Sequence, residues 1–326
     1  MLTLSVEEQV FPLAEVFTIS RGSRTDARVV VATLSDGVHT GRGECVPYAH
    51  YGESVDSVIA QIESMREALA EDMDRLALQS RLPAGAARNA LDCAFWDLEA
   101  KRSGCPVWQL AGLSAPVAEI TAFTLSLDTP DAMREKARLH AARPLLKLKL
   151  GGEGDIERLR AVREGAPEAR IIVDANEGWD RDTYARLAPV LLELGIGMVE
   201  QPLPVGNDAP LAEIERPLPV CADEACHDRT SLPDLVGRYD MINIKLDKTG
   251  GLTEALALKR EALAQGFEVM VGCMVGSSLS MAPALLVAQG AAVVDLDGPL
   301  LLARDREHGM RFDAEGIHPA SPRLWG

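Results

Sequence analysis

The chain has 326 residues, 47% hydrophobic and 25% charged, enough for one large domain plus a smaller one around a substantial core. Its 33 basic and 49 acidic residues leave a formal charge of -16, which argues against nucleic acid or an anionic membrane as the main partner, since both require a basic face. No run of about 18 apolar residues occurs, and the start MLTLSVEEQV lacks the basic and apolar regions of a signal peptide, so a cytoplasmic location is expected.

From the N-terminus, the strand-like segments LTLSVEEQVFPL, ARVVVATLSD and GVHTGRGECV are separated by Gly-containing turns. Two helical stretches follow, from about Ser54 to Ala70 and from about Gly85 to Ser103. In the second, Ala87, Leu91, Ala94, Phe95 and Leu98 make one apolar stripe, and Gly104 supplies a stop. This α+β pattern is expected to form a first domain over residues 1–115. From Glu119 strand and helix alternate: EITAFTLSL, LLKLKL, RIIVDA, GMVEQP, PVCAD, MINIKL, EVMVGC and AVVDLD are eight strands, giving a second domain over 116–298. The tail, 299–326, is turn-rich and too short for another repeat, so it is expected to return to the N-terminal domain.

Lys149, Asp174, Glu200, Asp223, Lys245 and Asp295 follow one another at gaps of 25, 26, 23, 22 and 50 residues, each at or near the end of an apolar run. A period of about 25 residues is one strand plus one crossover helix, the unit of a (β/α)8, TIM-like barrel, which gathers its chemistry at the C-terminal strand ends. The expected fold is therefore such a barrel with an α+β cap made by the N-terminal region and the C-terminal tail.

Strand parity sorts the side chains further. In LLKLKL, Lys147 and Lys149 share one face and Leu146, Leu148 and Leu150 the other. The leucines would face the helix ring and the lysines the barrel mouth; the alternative, a half-exposed strand with solvated lysines, suits a barrel strand less well. The same parity pairs Asp295 with Asp297, Asn243 with Lys245, and Asp174 with Asn176, whereas Lys248 falls off this face into a loop. Asp174, Glu200 and Asp223 end three consecutive strands. Three close carboxylates repel without a cation, and an all-oxygen set with room for substrate suits Mg²⁺. The cysteines are scattered without a CxxC pair and read as reduced core thiols; Cys221, Cys226 and His227 superficially suggest zinc, but their spacing matches no common finger.

The KxK at Lys147 and Lys149, DAN at Asp174, EQP at Glu200, ADE at Asp223, NIKLDKTGG around Lys245 and DLDGP at Asp295 and Asp297 resemble the enolase superfamily. Within it they look most like dipeptide epimerases of the muconate-lactonising subgroup, of the L-Ala-D/L-Glu epimerase kind. SRGSRTDARVV and GRGECVPYAHYGES resemble that family's capping domain and its two mobile loops, here near 20–26 and 48–53. The resemblance implies one Mg²⁺ per subunit on Asp174, Glu200 and Asp223, and two-sided proton transfer at the α-carbon of a dipeptide's C-terminal residue through a metal-stabilised enediolate. Lys149 and Lys245 would be the two bases. Lys147 and the metal would push Lys149 down from about 10.4. Asp295 and Asp297 would hold the dipeptide's ammonium, Arg24 an acidic second side chain, and Tyr51 would close over the substrate. The alternative for Arg21 and Arg24 is pairing with local acids such as Asp26. o-Succinylbenzoate synthases and N-acylamino-acid racemases share the metal and lysine set, and a non-catalytic enolase-like protein is a further alternative. A homo-oligomer is left open.

Overall fold

The computed structural model describes residues 1–71 and 73–326. Strands β1 (Thr3–Ile19), β2 (Gly22–Ser35) and β3 (Thr40–Cys45) form an antiparallel sheet in that order. Alternation along β2 serves two cores at once: Val30, Ala32 and Leu34 pack into the cap's helices, while Val29 and Val31 join the main barrel core. Those helices are α1 (Val55–Glu63), α2 (Arg66–Ala70), α3 (Arg75–Arg81) and α4 (Ala86–Ser103), followed by a short α5 (Val107–Leu110). Helix α4 lies directly on β3 because Gly43 has no side chain; a Cβ there would sit 2.1 Å from Ala90 O. The helix expected over 54–70 is broken at Ser64 and Met65, where the Ser64 hydroxyl donates back to Gln61 O at 2.7 Å and competes with the backbone ladder. Helix α3, started by an Asp74 cap on Ala77 N, is one the sequence pattern did not disclose.

The second unit is a parallel eight-stranded barrel: β4 (Phe123–Leu125), β5 (Leu145–Lys149), β6 (Arg170–Asp174), β7 (Ile196–Glu200), β8 (Val220–Ala222), β9 (Met241–Ile244), β10 (Glu268–Gly272) and β11 (Val293–Asp295), paired in sequence order. The ring meets at the β4/β11 seam, where Ala122 N–H donates to Val294 O (2.8 Å) and Leu296 N–H to Thr121 Oγ1 (2.8 Å). Helices α6 (Pro130–Leu139), α7 (Asp155–Gly165) and α8 (Arg181–Glu193) form the first crossovers. Between β7 and β8 the expected helix is reduced to a 3-10 turn at Ala209–Ala212, because Pro202, Pro204, Pro210, Pro217 and Pro219 remove backbone donors. The next crossover holds a 3-10 turn at Arg229–Ser231 and the short α9 (Leu232–Leu235). Regular structure resumes with α10 (Leu246–Thr249), α11 (Leu252–Ala264) and α12 (Ser278–Ala288).

The tail runs back over the cap and the barrel floor. Ala303 N–H donates to Pro12 O (2.8 Å), and the hairpin β12 (Phe312–Asp313) and β13 (Gly316–Ile317) bridges to Glu119. The buried Trp325 donates its indole N–H to Cys93 O on α4 (3.0 Å), and Arg42 of β3 holds Leu324 O (2.8 Å). Among the described residues no helix is long and apolar enough to cross a membrane.

Candidate active site

One residue from each barrel strand or its start fills the barrel's lower interior: Ala122, Leu145, Ile172, Met198, Cys221, Met241, Met270 and Val293 pack as one apolar cluster. Two positions further along each chain stand Thr124, Lys147, Asp174, Glu200, Asp223, Asn243, Gly272 and Asp295. The period of two keeps these side chains on the inner face, so a polar layer lies on an apolar floor. At Gly272 the missing side chain is itself functional space: a Cβ would lie 2.7 Å from Asn243 Oδ1 and 3.1 Å from Lys245 Cε.

Asp174, Glu200 and Asp223 are fully buried, and one carboxylate oxygen from each comes within 4.8 Å of the others. Every acid also has one oxygen pinned by the protein. Asp174 Oδ1 accepts from Asn176 N (2.9 Å), Glu200 Oε1 from Asn243 Nδ2 (2.8 Å), and Asp223 Oδ1 from Lys248 Nζ (2.6 Å). The second oxygens face ammonium groups: Lys149 and Lys147 lie 2.6 and 3.2 Å from Asp174 Oδ2, Lys147 lies 2.6 Å from Glu200 Oε2, and Lys245 lies 2.7 Å from Asp223 Oδ2. Glu200 Oε2 is buried and outside hydrogen-bonding geometry with any partner, Lys147 included. Three pinned carboxylates that each turn an oxygen to a common point, one of them an acceptor without a hydrogen bond, are an all-oxygen donor set that suits a hard divalent cation such as Mg²⁺.

The charges are strongly coupled. Burial alone raises the carboxyl of Asp174, but Lys149 and Lys147 outweigh it and hold the group well below the usual range. Burial and neighbouring Asp174 push Glu200 up to about 7 against the pull of Lys147. Burial would lower Lys245, yet Asp223 and Glu200 override it and hold the amine well above its ordinary value. Lys149 and Lys245 close β5 and follow β9, four strands apart and so on opposite sides of the eight-stranded ring.

On the last strand Asp295 Oδ2 accepts from Lys147 (2.8 Å), while Oδ1 is buried with no partner. Asp297 Oδ2 accepts Thr124 N–H (2.6 Å), and burial followed by repulsion from Asp295 pushes this carboxyl up to about 7. Both line the pocket, together with Lys147, Lys149, Lys245, Asp223, Arg24 and Tyr51.

Two cap segments roof the pocket. Residues 20–26, expected as a loop, are the tip of the β1/β2 hairpin, with Gly22, Ser23 and Arg24 paired to Ile19, Thr18 and Phe17. Arg24 makes no ion pair among the described residues, to Asp26 or elsewhere, and stands 6.0 Å over the Tyr48 ring. Arg21 instead reaches down to the barrel, binding Glu224 (2.7 Å), Glu177 (3.2 Å) and Asn176 O (3.0 Å). Segment 48–53 is hooked by Glu53, which accepts Tyr48 N–H (3.0 Å) and Ala86 N–H (2.8 Å) at the start of α4. Tyr51 meets His227 edge-on at 4.6 Å, and burial followed by Asp223 drives its phenol upward. Cys221 lies in the barrel floor, Cys226 in the outer core and His227 against Tyr51, so they do not form a zinc cluster.

Several contributors sit inside the quoted motifs without a role assigned by the sequence. Lys248, set aside by parity, is fully buried and spends its ammonium on Asp223 Oδ1, Asp223 O and Asn243 O. Gln201 accepts from the backbone N–H groups of Asp223 (2.9 Å) and Ala225 (3.0 Å). It does so from a left-handed conformation (φ 33°), a strain of about 1–3 kcal/mol of the kind that binding sites tolerate. Glu224 neighbours Asp223 in sequence, which could have flagged it. Lys248 and Gln201 stand in the NIKLDKTGG and EQP motifs, but their partners come from adjoining strands, which no local pattern gives.

Residues 1–112 match the mandelate racemase / muconate lactonizing enzyme N-terminal domain, and residues 132–307 the enolase C-terminal domain-like family. The L-Ala-D/L-Glu epimerase of Escherichia coli (strain K12) is 49% identical over 320 residues, 98% of this chain and all of that one. An N-acetyl-D-glutamate racemase from Pseudoalteromonas sp is 45% identical, covering 91% and 95% of the two chains. A crystal structure of an enolase family member from Agrobacterium tumefaciens with homology to dipeptide epimerases, holding sodium and L-Ala-L-Glu with an ordered loop, is 54% identical and superposes over the full length of both chains with a TM-score of 0.98. The chain belongs to the enolase superfamily, in its mandelate racemase / muconate-lactonizing family.

Proposed function

We propose that the protein epimerises a dipeptide, L-Ala-D/L-Glu, at the α-carbon of its C-terminal residue, with Mg²⁺ held by Asp174, Glu200 and Asp223. The observation that carries this reading is the convergence of a pinned, buried carboxylate triad with a pocket that Asp223 of that triad lines together with two lysines on opposite walls and an adjacent pair of aspartates. The amines of Lys147, Lys149, Lys245 and Lys248 face the carboxylates of Asp174, Glu200, Asp223 and Asp295. A divalent cation on the triad would supply counter-charge for the substrate carboxylate and, as a nearby positive charge, favour a neutral amine beside it.

The neutral amine of one lysine removes the α-proton and becomes an ammonium. The opposite lysine, charged at the start, gives its proton to the other face of the carbon, which inverts it and exchanges the two lysines' states. Lys147, buried among three acids, holds charge and position. Asp295 and Asp297 suit a ligand ammonium because the first keeps a buried, unbonded oxygen and the second a carboxyl that ionises near neutrality. Arg24, which pairs with no carboxylate among the described residues, reads an acidic second side chain, and Tyr51 closes over the substrate. Scattered unpaired cysteines support a cytoplasmic location.

Racemisation of an N-acylated glutamate is a second reading, favoured by the 45% identical racemase. The Asp295/Asp297 pair weighs against it, since an amide offers one N–H and no charge. L-Ala-L-Glu, L-Ala-L-Leu and N-acetyl-L-glutamate are incubated with protein and Mg²⁺ in D₂O, and α-deuterium uptake is read by mass spectrometry. L-Ala-L-Glu should exchange fastest, and Arg24→Ala should reduce its advantage over L-Ala-L-Leu by roughly ten- to a hundredfold in kcat/KM. Faster exchange of N-acetyl-L-glutamate by wild type would replace the dipeptide reading.

A further inference from the structure

The pocket shares its β4 wall with a second cavity, of about 230 Å³, that lies between β1, β4 and α6. Phe17, Thr124 and Leu301 line both spaces and are all that the two have in common. The cavity exists because β1 leaves register with β2 between Pro12 and Phe17, which carries Ala14, Glu15 and Val16 outward over α6. Its lining is mostly apolar, with Phe123, Leu125 and Leu139 inside and the Lys136–Glu15 ion pair (2.8 Å) on its border.

The wall stands at one particular end of the site. Thr124 donates its N–H to Asp297 Oδ2 at 2.6 Å, so a ligand ammonium at Asp295 and Asp297 sets the first residue's side chain beside the wall. The flank of Cys273, Met274 and Val275 has no such space behind it: Glu44 binds Ser277 N (2.7 Å) and Arg306 Nε (3.0 Å) there, and a Cβ on Gly298 would lie 3.0 Å from Gly276 O. Growth of the first side chain through Phe17 and Leu301 leads instead into preformed space.

We infer that Phe17 and Leu301 restrict the dipeptide's first residue to a small side chain, and that the cavity behind them is a latent subsite for a bulky apolar one. This rests on the dipeptide reading above. Both side chains are only partly buried, so truncation removes the partition without excavating the core.

The test measures kcat/KM of wild type, Phe17→Ala and Leu301→Ala on L-Ala-L-Glu, L-Leu-L-Glu, L-Phe-L-Glu and L-Ala-L-Leu. The variants should raise the ratio of L-Leu-L-Glu or L-Phe-L-Glu to L-Ala-L-Glu by tenfold or more, with little change in the ratio of L-Ala-L-Leu to L-Ala-L-Glu. Equal loss on all four substrates in both variants, or a gain confined to the second position, would overturn the inference and leave the epimerase reading in place. Failure of wild type to turn over any dipeptide would bring down both.

Discussion

Two layers of the same barrel differ by a single step of strand alternation. The lower eight residues, from Ala122 to Val293, form a closed apolar cluster; the upper eight, from Thr124 to Asp295, are polar at every strand except Gly272. Both point inward and both are buried, so burial does not distinguish them. What differs is how burial is offset. The floor is stabilised by removal of apolar area from water, whereas the upper layer carries charges that are tolerable only while each is paired or holds an ion. The floor therefore sets the height and rigidity of the site, and the upper layer supplies its reactivity.

Exchanging the chemistry of one layer at a time should separate these roles. In the upper layer, Asp174→Asn keeps the shape and the Asn176 N–H contact but removes a charge from the triad. Turnover should fall by about a thousandfold or more, equivalent to some 4 kcal/mol of barrier, with little loss of thermal stability. Exhaustive chelation should silence wild type until Mg²⁺ is restored, and full activity after chelation would separate the triad from the chemistry. In the floor, Met270→Ala should do the reverse. Loss of a fully buried side chain should cost about 2–5 kcal/mol in a denaturation midpoint, while kcat on the surviving folded enzyme changes far less than in Asp174→Asn.

A smaller effect sits at the rim of the upper layer. Because the folded state keeps Asp297 protonated up to about 7, it binds more protons than the unfolded chain between about 4 and 7. This group's contribution to stability therefore falls as pH rises through that window. Activity should run the other way. The ammonium site needs the carboxylate, so kcat/KM should drop about tenfold per unit below neutrality, and the dipeptide amine, ionising near 8, should add an alkaline fall. Comparison of the pH profiles of wild type and Asp297→Asn checks the assignment: the variant should lose the acidic limb that the aspartate creates.

The layering was largely legible in the sequence because parity is a local property: LLKLKL and AVVDLD declare which side chains point inward without knowledge of the neighbours. The spacing of strand-end acids similarly disclosed the eightfold repeat. The five prolines between β7 and β8 mark that crossover as non-helical, a local signal that runs against the strand–helix repeat. The role of Lys248 was not legible, since its acceptors belong to Asp223 and Asn243 on adjoining chain segments; parity set it in a loop off the inner face, whereas it lies in the short helix α10 with its ammonium on Asp223 Oδ1. Gly272 was likewise invisible: what matters there is the room left for Asn243 and Lys245. The Arg21 contacts to Glu177 and Glu224 depend on how the hairpin seats on the barrel, which no local pattern encodes.

The central claim is that two lysines on opposite walls of the upper layer act on opposite faces of one carbon. Its most direct test is α-deuterium exchange of L-Ala-L-Glu and of L-Ala-D-Glu in D₂O by wild type, Lys149→Ala and Lys245→Ala. Wild type should exchange both epimers; Lys149→Ala should lose exchange from one and Lys245→Ala from the other, each keeping at most partial exchange of the opposite isomer, with neither completing inversion. Normal epimerisation by both variants would contradict the two-lysine account.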